Sequence, residues 1–208
     1  SKTRQIFIAN PNNPTGTLVK QDEIDRFMDA VPEDVIVIFD EAYYEFLDSP
    51  PDTLKYIREG RNVIVMRTFS KIQGLAGLRI GYGITTPGLA SILQKTRQPF
   101  NANLLAQEAA LAALADEEHQ EKTKEITDEG RELLQNEFEK MGIEFVTSYA
   151  NFVLIKVGDG DAVFEKMLQK GVIVRAMRGY KLPEWIRVSI GTKDENMKFL
   201  ELLKSIIT

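Results

Sequence analysis

The chain has no cysteine, one histidine and one tryptophan among 208 residues. The lack of cysteine removes disulfides, thiolate nucleophiles and thiolate metal sites together. A single histidine, His119, leaves no basis for a histidine-based metal centre or a Ser-His-Asp triad, so no metal is expected. His119 falls in the charge run DEEHQEKTKE, which reads as a solvated helix face. Charge of one sign is never concentrated: 26 basic and 31 acidic residues are interleaved, for a net charge of -5. No basic stripe recommends nucleic acid and no polybasic segment recommends a membrane surface. No apolar run approaches the roughly 20 residues that span a bilayer, and the amino terminus lacks a charged segment followed by an apolar one. The expectation is a cytoplasmic protein. Internal repeats and low-complexity tracts are also missing. The chain begins Ser1-Lys2-Thr3 without a methionine and enters a strand almost at once, which leads us to expect a cut inside a larger protein or a processed end.

What is present is a globular composition, 43% hydrophobic, enough for one large domain or a domain and a half. Strand-like runs at Gln5 to Ala9, Asp34 to Asp40 and Asn62 to Met66 alternate with helical patterns at Gln21 to Val31 and, weakly, Thr53 to Glu59. The run DVIVIFD is apolar and β-branched, as in a strand buried on both faces of a parallel sheet. Strand, helix, strand, helix, strand is the order of an α/β sheet, whose ligands sit outside the carboxyl ends of the strands. A further strand is predicted at Leu78 to Ile84, then helices at Pro87 to Lys95 and Asn103 to Ala115 and a long charged helix at Glu117 to Met141. From Ile143 the pattern changes. Strands at Ile143 to Val146, Phe152 to Val157, Val172 to Arg175 and Trp185 to Ile190, with helices at Asp161 to Lys170 and Lys193 to Ile207, predict a smaller α+β unit. The expected organisation is 1–116 as part of a large α/β domain, 117–142 as a connecting helix and 143–208 as a small domain.

Three stretches carry chemistry, each at a predicted strand end. The stretch RTFSKIQGLAGLRIGYG, Arg67 to Gly83, places Lys71 in a small-residue loop, with the hydroxyls of Thr68 and Ser70 beside it and Arg79 eight residues on. A desolvated lysine amine condenses with aldehydes, and a guanidinium fork suits a phosphate, so the set points to a phosphorylated aldehyde cofactor. In DEAYY a carboxylate, Asp40, stands three residues before a phenol, Tyr43, and the two can address two atoms of one aromatic ring. A pyridine nitrogen held protonated by a buried aspartate becomes an electron sink. In NPNNPTG the amide of Asn13 can reach a phenolic oxygen. Each pattern alone also fits a solvated loop lysine, a strand-end arginine, a capping aspartate or a turn-shaping asparagine.

Together, NPNNPTG, DEAYYEF and RTFSKIQGLAGLRIGYG, in that order, resemble the pyridoxal-phosphate aminotransferases of the aspartate aminotransferase fold, and the resemblance covers essentially the whole chain. It implies the type I fold of pyridoxal-phosphate transferases: an α/β class with part of a mostly parallel large-domain sheet plus a smaller α+β carboxyl-terminal domain. It also implies that Lys71 bonds the cofactor aldehyde and shuttles the proton, that Asp40 partners the pyridinium nitrogen, and that Asn13 and Tyr43 bond the ring hydroxyl. Thr68, Ser70 and Arg79 fall where the family binds the cofactor phosphate.

The runs GVIVR, GYKLP and WIRVSIGT look like the end of the histidinol-phosphate branch. By that resemblance Arg187, with Arg175, binds a substrate phosphate where other branches grip an α-carboxylate; Arg175 also fits a solvated strand end. Arg178 has no motif behind it and reads as solvated. Gln73 stands where the branch usually has an aromatic residue, and the family's first segment, with its phosphate loop, stacking ring and a tyrosine lent across the dimer, is not found in this sequence.

The implied reaction passes the amino group of L-histidinol phosphate to 2-oxoglutarate, in histidine biosynthesis, with a small-molecule amine and a 2-oxo acid as partners of a homodimer. Alternatives are an aromatic amino acid or aspartate aminotransferase, a lyase on the same scaffold, a non-catalytic regulatory module, or an inactive fragment.

Overall fold

In a computed structural model, which describes residues 2–207, the apolar runs become strands that gather into two separate sheets. The chain divides into two units, Ser1–Pro11 with Leu18–Glu121 and Asn12–Thr17 with Lys122–Thr208.

The first unit holds β1 (Gln5–Ala9), β2 (Ile36–Asp40), β3 (Val63–Thr68) and β4 (Gly81–Thr85) in the order β1-β2-β3-β4. The first three are parallel and β4 runs antiparallel to β3. The helices are α1 (Gln21–Ala30), α2 (Leu54–Arg58), α3 (Pro87–Thr96) and α4 (Leu104–Ala115), the last capped by the Asn103 side chain accepting from the Ala106 N–H at 2.9 Å. On one face Val37 and Phe39 of β2 and Val63 and Val65 of β3 pack with Ile24 and Met28 of α1 and Tyr56 of α2. The other face is more open: Phe7, Ile36, Ile64 and Tyr82 border an apolar groove of about 740 Å³ with Ile92 and Leu93 of α3. The double-sided burial predicted for DVIVIFD is therefore strong on one face and incomplete on the other. Asp25 of α1 ties that helix to α2, accepting from Lys55 Nζ at 2.6 Å and the Tyr56 hydroxyl at 2.5 Å.

The second unit carries β5 (Phe145–Val146), β6 (Phe152–Lys156), β7 (Arg175–Ala176) and β8 (Trp185–Ser189), antiparallel throughout in the order β5-β6-β8-β7. Its core joins Leu134 and Phe138 of α5 (Glu117–Lys140), Met167 of α6 (Gly160–Gln169) and Phe199 and Leu203 of α7 (Lys193–Ile207) to Val153, Ile155 and Ile186 of the sheet. The helix expected as a separate connector over 117–142 begins in the first unit, and its buried residues Thr127, Gly130, Leu134 and Phe138 lie in the second. The strand predicted at Val172 to Arg175 is shifted to Arg175–Ala176. Val172 and Val174 pack on the core as a run that pairs with no strand, so burial rather than ladder hydrogen bonds accounts for their apolar character. Residues Asn12–Thr17 belong to this unit because Gly16, at φ +77, lies against Ser148 and accepts from the Tyr149 N–H at 2.8 Å.

Glycine in the middle of a helix costs about 0.5–1 kcal/mol relative to alanine. Gly130 of α5 is retained because a Cβ there would come within 2.6 Å of Ile190 Cγ2 and 2.7 Å of Asn196 Nδ2. Asn196 cannot withdraw easily, since its amide exchanges two 2.9 Å hydrogen bonds with the Gly191 backbone. Gly88, in the first turn of α3, meets nothing within 4 Å. Gly130→Ala is expected to destabilise by about 1–3 kcal/mol, whereas Gly88→Ala stabilises by up to about 1 kcal/mol; urea unfolding followed by far-ultraviolet circular dichroism measures both. A second outcome concerns pH. Hydrogen bonds from Lys55, then Tyr56 and Gln21, hold the Asp25 carboxyl down to about 2 from 3.8. A depressed folded value means that its contribution is complete above the unfolded value and is lost as pH falls through the folded one. The melting temperature of Asp25→Asn should therefore lie below wild type at neutral pH and converge with it as pH approaches 2.

Candidate active site

The carboxyl edge of the first sheet is where polar groups collect. Asp40 is the last residue of β2 and lies between its neighbours: its carbonyl accepts from the Asn10 N–H at 3.0 Å, and the next residue, Glu41, donates its N–H to the Met66 carbonyl of β3 at 2.9 Å. The half-buried Asp40 side chain turns back to accept from the Ala42 N–H at 3.1 Å, which fixes its direction. The turn that follows buries Tyr43 to 5% exposure and brings its ring centroid to 5.3 Å from Lys71 Nζ. Two residues 28 apart in sequence, each singled out by its motif, thus meet.

Lys71 is held by its neighbours. Phe69 and Ile72 are buried on either side of it, and the loop closes on itself through Gly74 N–H to the Lys71 carbonyl at 2.9 Å and Leu75 N–H to the Phe69 carbonyl at 2.8 Å. Thr68 Oγ1 accepts from the Ser70 N–H at 3.1 Å. Arg79 does not open a strand as the pattern LRIGYGI predicts. It caps a 3-10 turn, Ala76–Leu78, in the left-handed region at φ 54, and strand pairing starts only at Gly81, opposite Thr68. A left-handed residue cannot continue an extended strand, and where pairing does begin the approach is close: at Gly81 a Cβ would meet the Arg67 carbonyl oxygen at 2.7 Å. Held this way, Arg79 NH1 donates to the Ala76 carbonyl at 2.9 Å and to Ser70 Oγ at 3.4 Å, and Thr68, Ser70 and Arg79 form the polar border of the apolar groove on the open face of the sheet. A non-glycine residue in the left-handed region costs of order 1–3 kcal/mol and persists only where its surroundings impose it.

The second unit supplies an arginine pocket. Arg175 and Arg187 are directly opposite on β7 and β8. They border a cavity of about 590 Å³ with Tyr180, Gly179 and Ser189. Arg187 NH1 donates to Asn13 Oδ1 at 2.5 Å, its guanidinium lies 4.7 Å from the Phe152 ring centroid, and its Nε is buried with no hydrogen-bond partner. Arg178 is exposed and paired with Asp161, away from the cavity lining.

The structure thus brings together Lys71 with Tyr43, then Thr68 with Ser70 and Arg79, then Arg175 with Arg187, and Asn13 with Arg187. Sequence reading missed Glu41 and Arg67. Glu41 is 3% exposed, accepts from Arg67 Nε at 2.9 Å and from Thr53 Oγ1, and burial pushes its carboxyl above the ordinary value despite both donors. No local pattern marks the pair, because only the register of β2 against β3 makes the two residues neighbours.

Among known proteins, the model of the family described as aminotransferase class I and II matches residues 1–203. A histidinol-phosphate aminotransferase of Akkermansia muciniphila is 59% identical over 205 residues, covering 99% of this chain and 56% of the relative. The solved histidinol-phosphate aminotransferase of Clostridium acetobutylicum superposes with a TM-score of 0.90 at 27% identity, over 97% of this chain and 63% of that one. That of Sinorhizobium meliloti, solved in complex with pyridoxal-5'-phosphate, gives 0.85 at 30% identity, over 97% and 58%. The chain spans a little over half the length of the curated relatives it matches. With a family model that covers nearly every residue and solved relatives of the same α/β architecture, the chain belongs to the aminotransferase class I and II family, with the type I fold of pyridoxal-phosphate transferases.

Proposed function

We propose that the protein of which this chain forms part is a pyridoxal-phosphate-dependent aminotransferase that moves the amino group of L-histidinol phosphate to 2-oxoglutarate, a step of histidine biosynthesis. The observation that carries the reading is the lysine amine of Lys71 set against the Tyr43 ring, on a loop whose Thr68, Ser70 and Arg79 side chains open to one pocket.

The residues fit the cofactor by the chemistry of their donors. Arg79 and the hydroxyls of Thr68 and Ser70 form a phosphate-binding set. Asp40, fixed at a strand end, suits a protonated ring nitrogen, and the Tyr43 hydroxyl suits a ring oxygen. Arg187 donates to Oδ1 of Asn13, so Asn13 meets a ligand with the donor hydrogens of its Nδ2. Bound pyridoxal phosphate supplies an electron sink for negative charge developing at the substrate Cα. Lys71 Nζ is the base that takes the Cα proton and later returns it, work that a lysine performs when its environment lowers the cost of the neutral amine. Arg175 and Arg187 bind the substrate phosphate. Arg187 Nε, buried and unpartnered, gains an acceptor when an anion enters, which relieves a desolvation cost of about 1–3 kcal/mol. We also read the protein as a cytoplasmic homodimer, in keeping with its family and with a net charge of -5.

In the full-length protein, Lys71→Ala should remove the cofactor mass retained after borohydride reduction and lower turnover by at least about 10²–10⁴-fold; retention of that mass, read by intact mass spectrometry, refutes the assignment. Arg187→Met should raise KM for histidinol phosphate by at least about tenfold, the value of one charge-assisted hydrogen bond, while Arg178→Met leaves it within twofold. Steady-state assays with histidinol phosphate and with phenylalanine, side by side, test the substrate: equal kcat/KM for the two favours an aromatic amino acid aminotransferase.

A further inference from the structure

Beneath the Lys71 loop lies a buried polar cluster that the proposed chemistry does not use. Two segments run past each other there, 41–45 after β2 and 67–73 from the end of β3. They are tied at both ends. At one end Glu41 Oε2 accepts from Arg67 Nε and pairs with NH2, each at 2.9 Å, with side chains 3% and 14% exposed. The other Glu41 oxygen accepts from Thr53 Oγ1, and the Arg67 guanidinium stacks 3.6 Å from the Tyr44 ring centroid. At the other end the side chain of Gln73, buried to 8% exposure, stands beside the Glu45 carboxyl, which burial pushes above its ordinary value and Gln73 draws back down. Between the two ties lies the approach of Lys71 Nζ to the Tyr43 ring at 5.3 Å.

We propose that Glu41–Arg67 and Glu45–Gln73 form a brace whose task is to set the distance and angle between Lys71 and Tyr43. These four are positioning residues, and the assignment rests on the functional reading of Lys71 and Tyr43 given above.

Three features favour a positioning task over general stabilisation. A buried ion pair is a poor source of stability, because desolvating two charges offsets most of their attraction, and hydrophobic residues of equal volume serve as well or better. Glu41 and Arg67 nevertheless occupy positions next to Asp40 and Thr68, where apolar side chains would continue both strand patterns. A guanidinium that sets Nε and NH2 on one carboxylate oxygen and lays its plane on a ring resists rotation in a way apolar packing does not. Finally, Gln73 Oε1 is buried with no hydrogen-bond partner, an unfavourable state that marks a site held for something other than stability. In this arrangement Tyr43 cannot shift relative to Lys71 unless one tie breaks.

The test compares three variants of the full-length protein with wild type: Arg67→Met, the double variant Glu41→Gln with Arg67→Met, and Gln73→Met. Each is loaded with pyridoxal phosphate and examined for thermal stability, for visible circular dichroism of the bound cofactor, and for kcat and KM separately. Arg67→Met leaves Glu41 buried without its cation and should melt lower; the double variant removes that unpaired charge and should recover most of the loss. If the pair positions Lys71 and Tyr43, the double variant keeps an altered circular dichroism band and a kcat lowered at least tenfold with KM within threefold, although its stability has returned. Gln73→Met should show the same altered band with near-normal stability. Met28→Ala, a core change beneath the same sheet, should lower the melting temperature and leave the band unchanged. A double variant or a Gln73→Met variant with wild-type band and kcat overturns the brace alone. A wild-type protein that binds no pyridoxal phosphate overturns the brace together with the functional reading it rests on.

Discussion

The register of β2 against β3 is the constraint from which the candidate site follows. Val37 pairs with Val63, Phe39 with Val65 and Asp40 with Met66, and a slip of one residue would turn Val37 and Phe39 out of the core they share with α1 and α2. Hydrophobic burial therefore decides where each strand ends relative to the other. The backbone ladder runs one step further, from the Glu41 N–H to the Met66 carbonyl, and this sets Glu41 beside Arg67 and the next turn beside Lys71. Polar chemistry at the sheet edge is thus placed by a register that apolar side chains fix.

The second unit meets a different constraint. Strand β8 alternates, with Ile186 and Val188 in the core and Arg187 and Ser189 at the cavity. Its neighbour across the ladder from Arg187 is Arg175, and like charges directly opposite one another on a sheet repel. Arg187 meets part of this with Asn13 and the Phe152 ring, yet its Nε remains buried and unpartnered. Two guanidiniums that border one pocket suit an anion, and a phosphate has charge enough for both, which is why the proposed function gives them that task.

Much of this was legible in the sequence. Strand and helix order followed from period and turn chemistry, and β1 and α7 fall where the pattern puts them. Lys71, Tyr43, Thr68, Ser70 and Arg79 were legible because they sit in short, composition-biased loops at strand ends. Three kinds of fact were hidden. The start of β4 depends on the left-handed backbone at Arg79, which no side-chain pattern records. Val172 and Val174 are apolar for the core's sake, and periodicity cannot tell such a run from a paired strand. Glu41 and Arg67 looked like ordinary surface charges, because only the strand register makes them neighbours.

Over most of the chain, local preference and tertiary environment agree: capped helices, alternating strands, glycines at positive φ in turns. Between residues 67 and 81 they disagree repeatedly. An arginine there adopts a left-handed conformation, a glycine sits where a methyl group would strike a carbonyl, a charge pair is buried and an amide oxygen lacks a partner. The left-handed arginine, the buried charges and the unpaired oxygen are each unfavourable, and a sequence under pressure only to fold would replace them one by one. That they lie together in the segment that carries Lys71 is the physical reason to treat this loop as the working part of the molecule rather than as an imperfection in its packing.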